Sequence, residues 1–392
     1  MTKVILKSGI KKRIENNHPW VYKNEVDHIE GDYKPGDIVN VYNHKNKFIG
    51  KGYINPQSQI IVRIMTRDIN EDINETFFKK RIQKAYDYRR LVMPGESYRL
   101  IFGEADEIPG LIIDKFNDYL SIQTLTLGID QYKNLIVKLL IEIVQPKGIY
   151  ERNDNSVRLL EGLPEQTGFL YNEFDPLTII DEYGVKFYVD IAGGQKTGSF
   201  LDQKANHHAI TPFVKDKTVL DCFTHTGGFA LHAACHGAKQ VDAADISEEA
   251  IELAKRNAEL NKVSNKINFI CANAFDLLKS YADEKKQYDV VILDPPAFTK
   301  SAKKLENAYR GYKEINLRAM KIVKPGGFLV TASCSYYMTP DLFRQMLEEA
   351  ALDAKKTIRV VEYRTQDKDH PILFGYDESH YLKLYILQVD DR

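Results

Sequence analysis

The stretch Asp221-Cys222-Phe223-Thr224-His225-Thr226-Gly227-Gly228-Phe229 follows a short apolar run and leads into a predicted helix. Its adjacent glycines allow the backbone to turn tightly into the helix and to approach a ligand without an intervening Cβ. The spacing matches neither GxGxxG nor GxxxxGK[ST], so the sequence does not favour a bound diphosphate. We therefore predict a strand, a ligand-facing loop and a helix, in that order.

Apolar strand patterns and amphipathic helix patterns alternate around this loop, from Thr218 to the end of the chain. Such alternation is typical of a doubly wound α/β fold, in which helices cover both faces of a mostly parallel sheet. We predict strands at 218–220, 240–244, 267–271, 288–293, 327–332 and 381–389, and helices at 228–235, 248–261, 305–323 and 340–354.

Polar residues follow the next strands, where ligands bind in this kind of fold. Asp245 ends the second strand and can accept hydrogen bonds from ribose hydroxyls, and Asn273 follows the third, where it can meet an adenine edge. Asp294-Pro295-Pro296-Ala297-Phe298 leaves the fourth. Its prolines fix an extended backbone whose polar groups can face a planar ring edge, with Phe298 available for stacking. An adenosine ligand without phosphates fits these loops.

The N-terminal part has a different pattern and a different charge. Short β-rich runs between turn clusters predict a small β-barrel that ends near Arg67. Residues 1–67 hold 12 Lys plus Arg against 6 Asp plus Glu, a net +6, which leaves −7 for the rest of a chain whose total is −1. A basic module on an acidic body is typical of an RNA anchor, although a merely soluble basic surface would look the same.

Between these parts, the sequence predicts an α+β segment. A charged helix at 75–91 precedes strands at 111–113, 119–125, 149–152, 177–180 and 185–189, with a helix at 131–144. We expect three domains, with boundaries at 1–70, 71–188 and 189–392.

Composition limits the setting of the protein. Its 392 residues, 43% hydrophobic and 28% charged, are typical of a soluble globular protein. We find no apolar run long enough for a signal peptide or a membrane span, so we expect a cytoplasmic protein with no membrane partner. The sequence leaves the oligomeric state open, a homodimer included.

Cysteine and histidine spacing gives no metal site. The four cysteines form no CxxC pair, and we expect Cys222, Cys235 and Cys271 to fill apolar cores. The spacing of His232, Cys235 and His236 could bring both histidines onto one helical face, but the sequence offers no further carboxylate or histidine partner, so we predict no metal. We expect His207-His208 to be a surface pair.

Longer motifs resemble a known family, the class I S-adenosylmethionine-dependent methyltransferases with their Rossmann-like fold. More closely, the chain resembles the bacterial 23S ribosomal RNA cytosine-5 methyltransferases with an N-terminal PUA domain. The motifs that carry the resemblance over essentially the whole chain are Gln195-Lys196-Thr197-Gly198-Ser199-Phe200-Leu201-Asp202-Gln203, the Thr-Gly-Gly-Phe loop, Asp-Pro-Pro, Ser333-Cys334-Ser335, His18-Pro19-Trp20-Val21-Tyr22, Gly50-Lys51-Gly52-Tyr53-Ile54-Asn55, Gly103-Glu104-Ala105-Asp106 and Pro109-Gly110-Leu111.

The resemblance implies a set of binding residues. S-adenosylmethionine would contact Gln203, Asp221, Phe223, Thr224, Gly227, Asp245, Ile246, Asn273, Ala274 and Asp294. The 23S RNA would contact Lys11, Lys12, Arg13, Trp20, Lys51, Phe298 and Arg310. Some of these residues have structural alternatives: Trp20 is also a typical core anchor, the basic run at Lys11 is also a typical solvated surface, and Arg310 also fits the start of a helix.

Cys334 is the predicted nucleophile for a chemical reason. Cytosine C5 is not nucleophilic until a group adds to C6, and a thiolate is the side chain best suited to add there. Cys334 ends the fifth predicted strand, on the edge where the cofactor loops lie. We expect Asp294 to hold the N3/N4 edge of a flipped-out base and to help protonate N3, and we expect nearby dipoles or cations to favour the thiolate.

One departure from the family pattern leaves alternatives open. Many RNA cytosine-5 methyltransferases have a second cysteine after the Pro-Pro, where this chain has Ala297. The base that removes the C5 proton is therefore not identified. Asp-Pro-Pro also resembles methyltransferases of exocyclic amino groups, which need no nucleophile. A non-catalytic RNA-binding assembly factor is the remaining alternative.

Overall fold

The computed structural model describes residues 2–9, 13–195, 197–299 and 301–392. Contacts between them divide the chain into two units. Unit 1 comprises Met1–Ile180, Val189–Leu201 and Lys368–Ser379. Unit 2 comprises Asp181–Tyr188, Asp202–Asp367 and His380–Arg392.

A mixed β-sheet forms the N-terminal part of unit 1. Its strands are β1 (Lys3–Leu6), β2 (Trp20–Tyr22), β3 (Val26–Glu30), β4 (Ile38–Tyr42), β5 (Phe48–Ile54) and β6 (Ile60–Thr66), in the order β2-β6-β5-β4-β1-β3. Alternate apolar side chains such as Val39 and Val41 are fully buried. A Cβ on Gly52 would lie 1.9 Å from the carbonyl oxygen of Arg63, so only glycine allows β5 and β6 to pair this closely. The predicted strand pattern ending near Arg67 is confirmed.

A second sheet lies in the same unit. The elements are α1 (Glu75–Val92), β7 (Ser97–Phe102), β8 (Leu111–Phe116), β9 (Tyr119–Thr124), α2 (Leu127–Asp130), α3 (Lys133–Val144), β10 (Gly148–Asn153), α4 (Val157–Leu160) and β11 (Gln166–Tyr171). The strands pair in the order β11-β10-β9-β8-β7. Sequence analysis predicted α1 and α3 but missed β7 and β11. Strand β7 is buried on both faces, and β11 has no fully buried residue, so neither shows the contrast of apolar and polar positions on which the prediction depended.

Buried polar side chains join the two sheets of unit 1. The Tyr53 hydroxyl donates to the carbonyl oxygen of Pro109 at 2.9 Å and lies 2.7 Å from Thr126 Oγ1. Asn55 donates its amide to Glu161 at 2.9 Å, and Arg63 pairs with the other carboxylate oxygen of Glu161 at 3.0 Å. These contacts satisfy polar groups that lie away from water.

In the part of the chain that the structure describes, unit 2 is built on a seven-stranded sheet. The hairpin strands β12 (Leu177–Glu182) and β13 (Val185–Asp190) come before it in sequence, and their segment Asp181–Tyr188 belongs to this unit. The unit then contains α5 (Lys204–Ala209), α6 (Thr211–Val214), β14 (Thr218–Cys222), α7 (Gly228–Cys235), β15 (Gln240–Asp245), α8 (Glu248–Leu260), β16 (Ile267–Cys271), α9 (Ala274–Asp283), β17 (Tyr288–Leu293), α10 (Leu305–Ile322), β18 (Val323–Ser333), α11 (Pro340–Ala354), β19 (Lys356–Arg364) and β20 (Lys383–Asp391).

The strand order β16-β15-β14-β17-β18-β20-β19 confirms the predicted doubly wound fold. Strands β14 to β18 pair in parallel, while β20 runs antiparallel between β18 and β19. The chain moves outward from β14 to β16 and returns to pair β17 with β14. A ligand crevice is expected at such a reversal, beyond the carboxyl ends of β14 and β17. None of the described helices is both long and apolar enough to cross a membrane.

Candidate active site

Asp221 lies at the reversal of strand order and holds the glycine loop closed. Its Oδ2 accepts hydrogen bonds from the Thr224 hydroxyl at 2.6 Å and from the Ala230 backbone N–H at 3.0 Å. Its Oδ1 is buried and has no hydrogen-bond partner among the described residues. Burial, with a contribution from the nearby Asp294, raises the pKa of Asp221 to about 7. One carboxylate oxygen therefore remains for a donor from a ligand.

The two glycines of the loop have different roles. Gly227 has φ +92° and caps α7, while Phe223 and His225 also adopt left-handed backbone conformations, at 65° and 50°. The sharp turn predicted from the sequence is therefore present. A Cβ on Gly228 would lie 2.5 Å from the His207 ring. The second glycine is therefore required by its packing against this side chain, and not by the approach of a ligand.

Asp245 ends β15 and ties two loops together. Its Oδ2 accepts the His225 backbone N–H at 2.9 Å, and its Oδ1 accepts that of Ser247 at 3.0 Å. Each carboxylate oxygen has a second lone pair, so both can still accept a hydroxyl of a ligand. The neighbouring Ile246 is 69% exposed and offers an apolar surface at the same strand end.

Asn273 follows β16 and caps α9. Its Oδ1 accepts the Phe275 backbone N–H at 2.9 Å, while the residue is exposed and Ala274 behind it is buried. The cap explains why a helix begins here, which sequence analysis missed. The adenine contact assigned to Asn273 stays a prediction.

Asp294 follows β17 and pairs with Gln203. The Gln203 amide donates to Asp294 Oδ2 at 2.8 Å, and its oxygen accepts from Asn206 at 2.7 Å. The Phe298 ring lies 4.5 Å from that of Tyr312, so the loop after β17 is packed onto α10. Of the residues that the sequence assigned to the cofactor, Asp221, Thr224, Gly227, Asp245, Gln203 and Asp294 share this edge of the sheet.

Cys334 follows β18 on the same edge. It is half-buried, and its sulfur lies 4.0 Å from the carbonyl oxygen of Pro295, in the loop that begins with Asp294. The Tyr312 hydroxyl lies 3.0 Å from Ser335 Oγ. The structure thus brings the predicted nucleophile next to the Asp-Pro-Pro loop, as the order of the strands predicted.

Lys383 on β20 is a residue of this site that sequence analysis missed. Its ammonium group is buried and donates to the carbonyl oxygens of Ser335 at 2.7 Å and Tyr381 at 2.8 Å. Burial lowers the pKa of Lys383 to about 8, and the charge of Cys334 acts in the opposite direction. The available signal was a single lysine between Leu382 and Leu384 in an apolar strand.

The structure corrects the RNA-binding role predicted for Lys51. Its side chain is 3% exposed, and its ammonium donates to the carbonyl oxygens of Ile69 at 3.0 Å and Glu71 at 2.8 Å. A buried lysine whose ammonium is held by two backbone carbonyls is not available to a phosphate. Lys51 is therefore a structural residue that fixes the chain after β6.

Arg13 and Trp20 make extensive internal contacts. Arg13 bonds Glu25 at 2.6 Å and the Trp20 carbonyl at 3.1 Å, while the Trp20 indole N–H donates to Glu104 at 2.7 Å. These contacts favour the core alternative for Trp20. They hold Arg13 in an internal ion pair rather than leave it solvated, and its RNA contact stays a prediction. Lys11 and Lys12 lie outside the described residues. Arg310 is exposed on α10, where it pairs with Glu306.

Two further predictions from composition were wrong. Cys271 is exposed because it ends β16, an edge strand, whereas Cys222 is buried as predicted and Cys235 is half-buried. His207 is not on the surface: it is 9% exposed because α5 packs it against α7, and its Nδ1 lies 3.1 Å from Glu182.

Comparisons with known proteins agree with this geometry. Residues 4–67 match a PUA-like domain family and residues 165–383 match an S-adenosylmethionine-dependent methyltransferase family. The chain is 42% identical over 391 residues to the ribosomal RNA large subunit methyltransferase I of Aliivibrio fischeri strain MJ11, which covers 98% of this chain and 99% of the relative.

Solved structures show the same fold. A candidate S-adenosylmethionine-dependent methyltransferase from Streptococcus mutans is 22% identical with a TM-score of 0.83, over 99% of this chain and 100% of the other. A second methyltransferase candidate, complexed with SAH, is also 22% identical, with a TM-score of 0.85 over 99% and 100% of the two chains.

Proposed function

Since this chain belongs to the S-adenosylmethionine-dependent methyltransferases and carries a PUA-like domain, we propose that it forms 5-methylcytosine in 23S ribosomal RNA. The relative from Aliivibrio fischeri is named for a large-subunit ribosomal RNA substrate, which supports the same substrate class here. The observation that carries the C5 assignment is the position of Cys334, whose sulfur lies 4.0 Å from the Pro295 carbonyl in the Asp-Pro-Pro loop. We place this activity in the cytoplasm, with ribosomal RNA as its partner.

The residues present fit the cofactor. The unpartnered Oδ1 of Asp221 can accept from its ammonium group, and the free lone pairs of Asp245 can accept from its ribose hydroxyls. Ile246 would supply apolar surface to the adenine and Asn273 a polar edge, with the buried Ala274 behind Asn273. Gln203 and Phe223 border the same crevice. S-adenosylmethionine supplies the methyl group when it is bound.

The chemistry at the base follows from Cys334 and Asp294. The Cys334 thiolate forms a bond from sulfur to C6 of a flipped-out cytosine, while Asp294 holds the N3/N4 edge and helps protonate N3. The electron pair displaced from the C5–C6 double bond makes C5 nucleophilic, and C5 takes the methyl group. Loss of the C5 proton then allows the sulfur–carbon bond to break, which returns the thiolate.

Lys383 supports the thiolate in this proposal. Its nitrogen has three positions besides the Cε bond, and two of them are N–H groups held by carbonyl oxygens. The third position is an N–H when the group is charged and a lone pair when it is neutral. Because burial places its pKa near 8, the group can take the thiol proton and then stabilise the negative sulfur.

Identification of the methylated nucleoside tests the proposal directly. Unmodified 23S RNA is incubated with the protein and labelled cofactor, and its nucleosides are separated by mass spectrometry. We expect labelled 5-methylcytosine from the wild type and from Cys235→Ala, which removes a half-buried thiol at the end of α7. Labelled N4-methylcytosine would assign the Asp294 loop to an amino group instead. No labelled nucleoside would make the chain a non-catalytic RNA-binding factor.

A further inference from the structure

Three metal-ligating side chains from separate elements meet inside unit 2. Glu182 lies on β12, His207 on α5 and His232 on α7, and their ligand atoms all lie within 4.8 Å of one another. His207 Nδ1 lies 3.1 Å from Glu182 Oε2, and His232 Nε2 lies 3.9 Å from the same oxygen. The reaction proposed above uses none of the three.

His232 is the most unusual member of this cluster. The side chain is fully buried, and neither ring nitrogen has a hydrogen-bond partner among the described residues. A buried polar atom without a partner costs stability, so it calls for a physical explanation such as an ion. A neutral imidazole offers one nitrogen lone pair that can bind a metal.

The geometry of the three ligands suits one divalent ion. Atoms bound at about 2.0–2.2 Å in a tetrahedral arrangement lie roughly 3.3 Å from one another, between the two measured separations. Two imidazoles and one carboxylate are a common ligand set for zinc, with the fourth position left to solvent. We propose that Glu182, His207 and His232 bind one Zn²⁺ ion in unit 2.

The position of the site indicates what the ion does. An ion bound there would join the end of β12 to α5 and α7. The His207 ring also packs against Gly228, where a Cβ would lie 2.5 Å away. An ion on one side of this ring holds it in place against the start of α7. The proposed role is therefore to fix the glycine loop, rather than to take part in the reaction.

Metal binding by the whole chain tests this inference. Protein stripped with a chelator is titrated with Zn²⁺ by calorimetry, and with Co²⁺ as a visible spectroscopic probe. We expect one ion per chain, and roughly 100-fold or greater loss of affinity in His232→Leu and in Glu182→Gln. The control is His28→Ala, which removes an exposed imidazole that lies 2.8 Å from Asp27 and 3.4 Å from Glu30.

Thermal unfolding of the wild type gives a second measurement that needs no variant. Zn²⁺ should raise its melting temperature, because an ion that binds only the native state stabilises that state. Absence of stoichiometric binding by the stripped wild type would overturn the proposal, as would unchanged affinity in both ligand variants. In either case a direct Glu182–His207 ion pair would be the whole role of the cluster. Neither result bears on the proposed methylation of cytosine.

Discussion

The buried ammonium of Lys383 donates a hydrogen bond of 2.7 Å to the carbonyl oxygen of Ser335, the residue that follows Cys334. Strand β20 lies beside β18 and brings the lysine to the end of that strand. A group whose pKa is about 8 thus lies near the sulfur, and it can gain or lose a proton close to neutral pH.

Replacement of this lysine should change the pH dependence of the reaction. A cation stabilises a nearby thiolate, so Lys383→Met should move the acidic limb of the kcat profile to higher pH. At neutral pH we expect kcat to fall about 10- to 100-fold, with partial recovery at higher pH. Lys324→Met, which changes a half-exposed lysine at the other end of β18, serves as the control. An unshifted pH profile would show that Lys383 has only a structural role and does not affect the thiolate.

The covalent step proposed for Cys334 can be tested on RNA that contains 5-fluorocytosine. Fluorine cannot leave as a proton, so after methyl transfer the RNA should remain attached through Cys334. Cys334→Ala should form no adduct and lose turnover by orders of magnitude, yet retain its affinity for cofactor and RNA. Comparable methylation by Cys334→Ala would eliminate the covalent mechanism. Gel mobility and mass spectrometry of the complex provide the measurement.

Asp245 should contribute strongly to cofactor affinity. Asp245→Ala removes a pair of charge-assisted hydrogen bonds to ribose, which is worth ~2–3 kcal/mol, or roughly 30- to 150-fold in Kd. It also frees the backbone N–H groups of His225 and Ser247. Asp245→Asn keeps one acceptor and should lose less. Calorimetry that finds equal Kd values for wild type and Asp245→Ala would remove the residue from the site.

Cofactor binding should depend on pH through Asp221. Burial raises its pKa to about 7, and an ionised carboxylate is the better partner for an ammonium group. The cofactor Kd should therefore fall as pH rises from 6 to 8, with about tenfold weaker binding one unit below the pKa. Asp221→Asn should flatten this dependence, because it cannot ionise. A wild-type Kd that is constant over this range would contradict the assignment.

The same raised pKa has a consequence for stability without cofactor. Folded protein retains the Asp221 proton up to about pH 7, whereas the unfolded chain loses it near 3.8. Since the native state then binds more protons, the contribution of Asp221 to stability falls as pH rises from about 4 to 7. Chemical denaturation of the wild type and of Asp221→Asn across this range would measure the difference.

RNA anchoring should depend on exposed lysines rather than on the buried ones. Lys45 and Lys47 lie exposed in the turn between β4 and β5, where Asn43 accepts hydrogen bonds from their backbone N–H groups. Replacement of both lysines by Glu should weaken RNA binding. The number of counterions released on binding, measured from the salt dependence of the affinity, should fall by up to about two. Cofactor affinity should not change. The same reversal at Lys279 and Lys285, exposed lysines of unit 2, is the control, and an equal effect there would refute a specific anchor.

Strand ends were the part of the site that sequence could predict. Most residues assigned to the cofactor lie at or just after the end of an apolar strand, and parallel strands bring such positions to one edge regardless of side-chain detail. Gln203, which precedes the sheet, came only from the family resemblance. Lys51 shows the limit of this reasoning, because a lysine in a Gly-Lys-Gly strand gives no local sign that two carbonyls of a later segment will bind its ammonium.

Clusters of side chains from separate elements could not be predicted from the sequence, because only tertiary packing brings them together. Glu182 and His207 were not connected with His232, because the hairpin, α5 and α7 are separate in sequence and only the fold brings them together. Strand β19 was missed for another reason. It is an edge strand with a mostly exposed surface, so burial imposes little pattern on its residues.

Tyr53, Asn55 and Arg63 of the PUA-like segment are bound to residues of the second sheet, so this segment should not fold correctly when it is moved alone into another protein. Without Glu161, the buried Arg63 guanidinium would keep its charge but lose its ion-pair partner, which typically costs about 3–5 kcal/mol. The two sheets should therefore unfold together, and the amide protons of β5, β6 and β9 should exchange with solvent through one cooperative unfolding event. A chimaera that contains this segment must also contain its partners, the Pro109 carbonyl and Glu161.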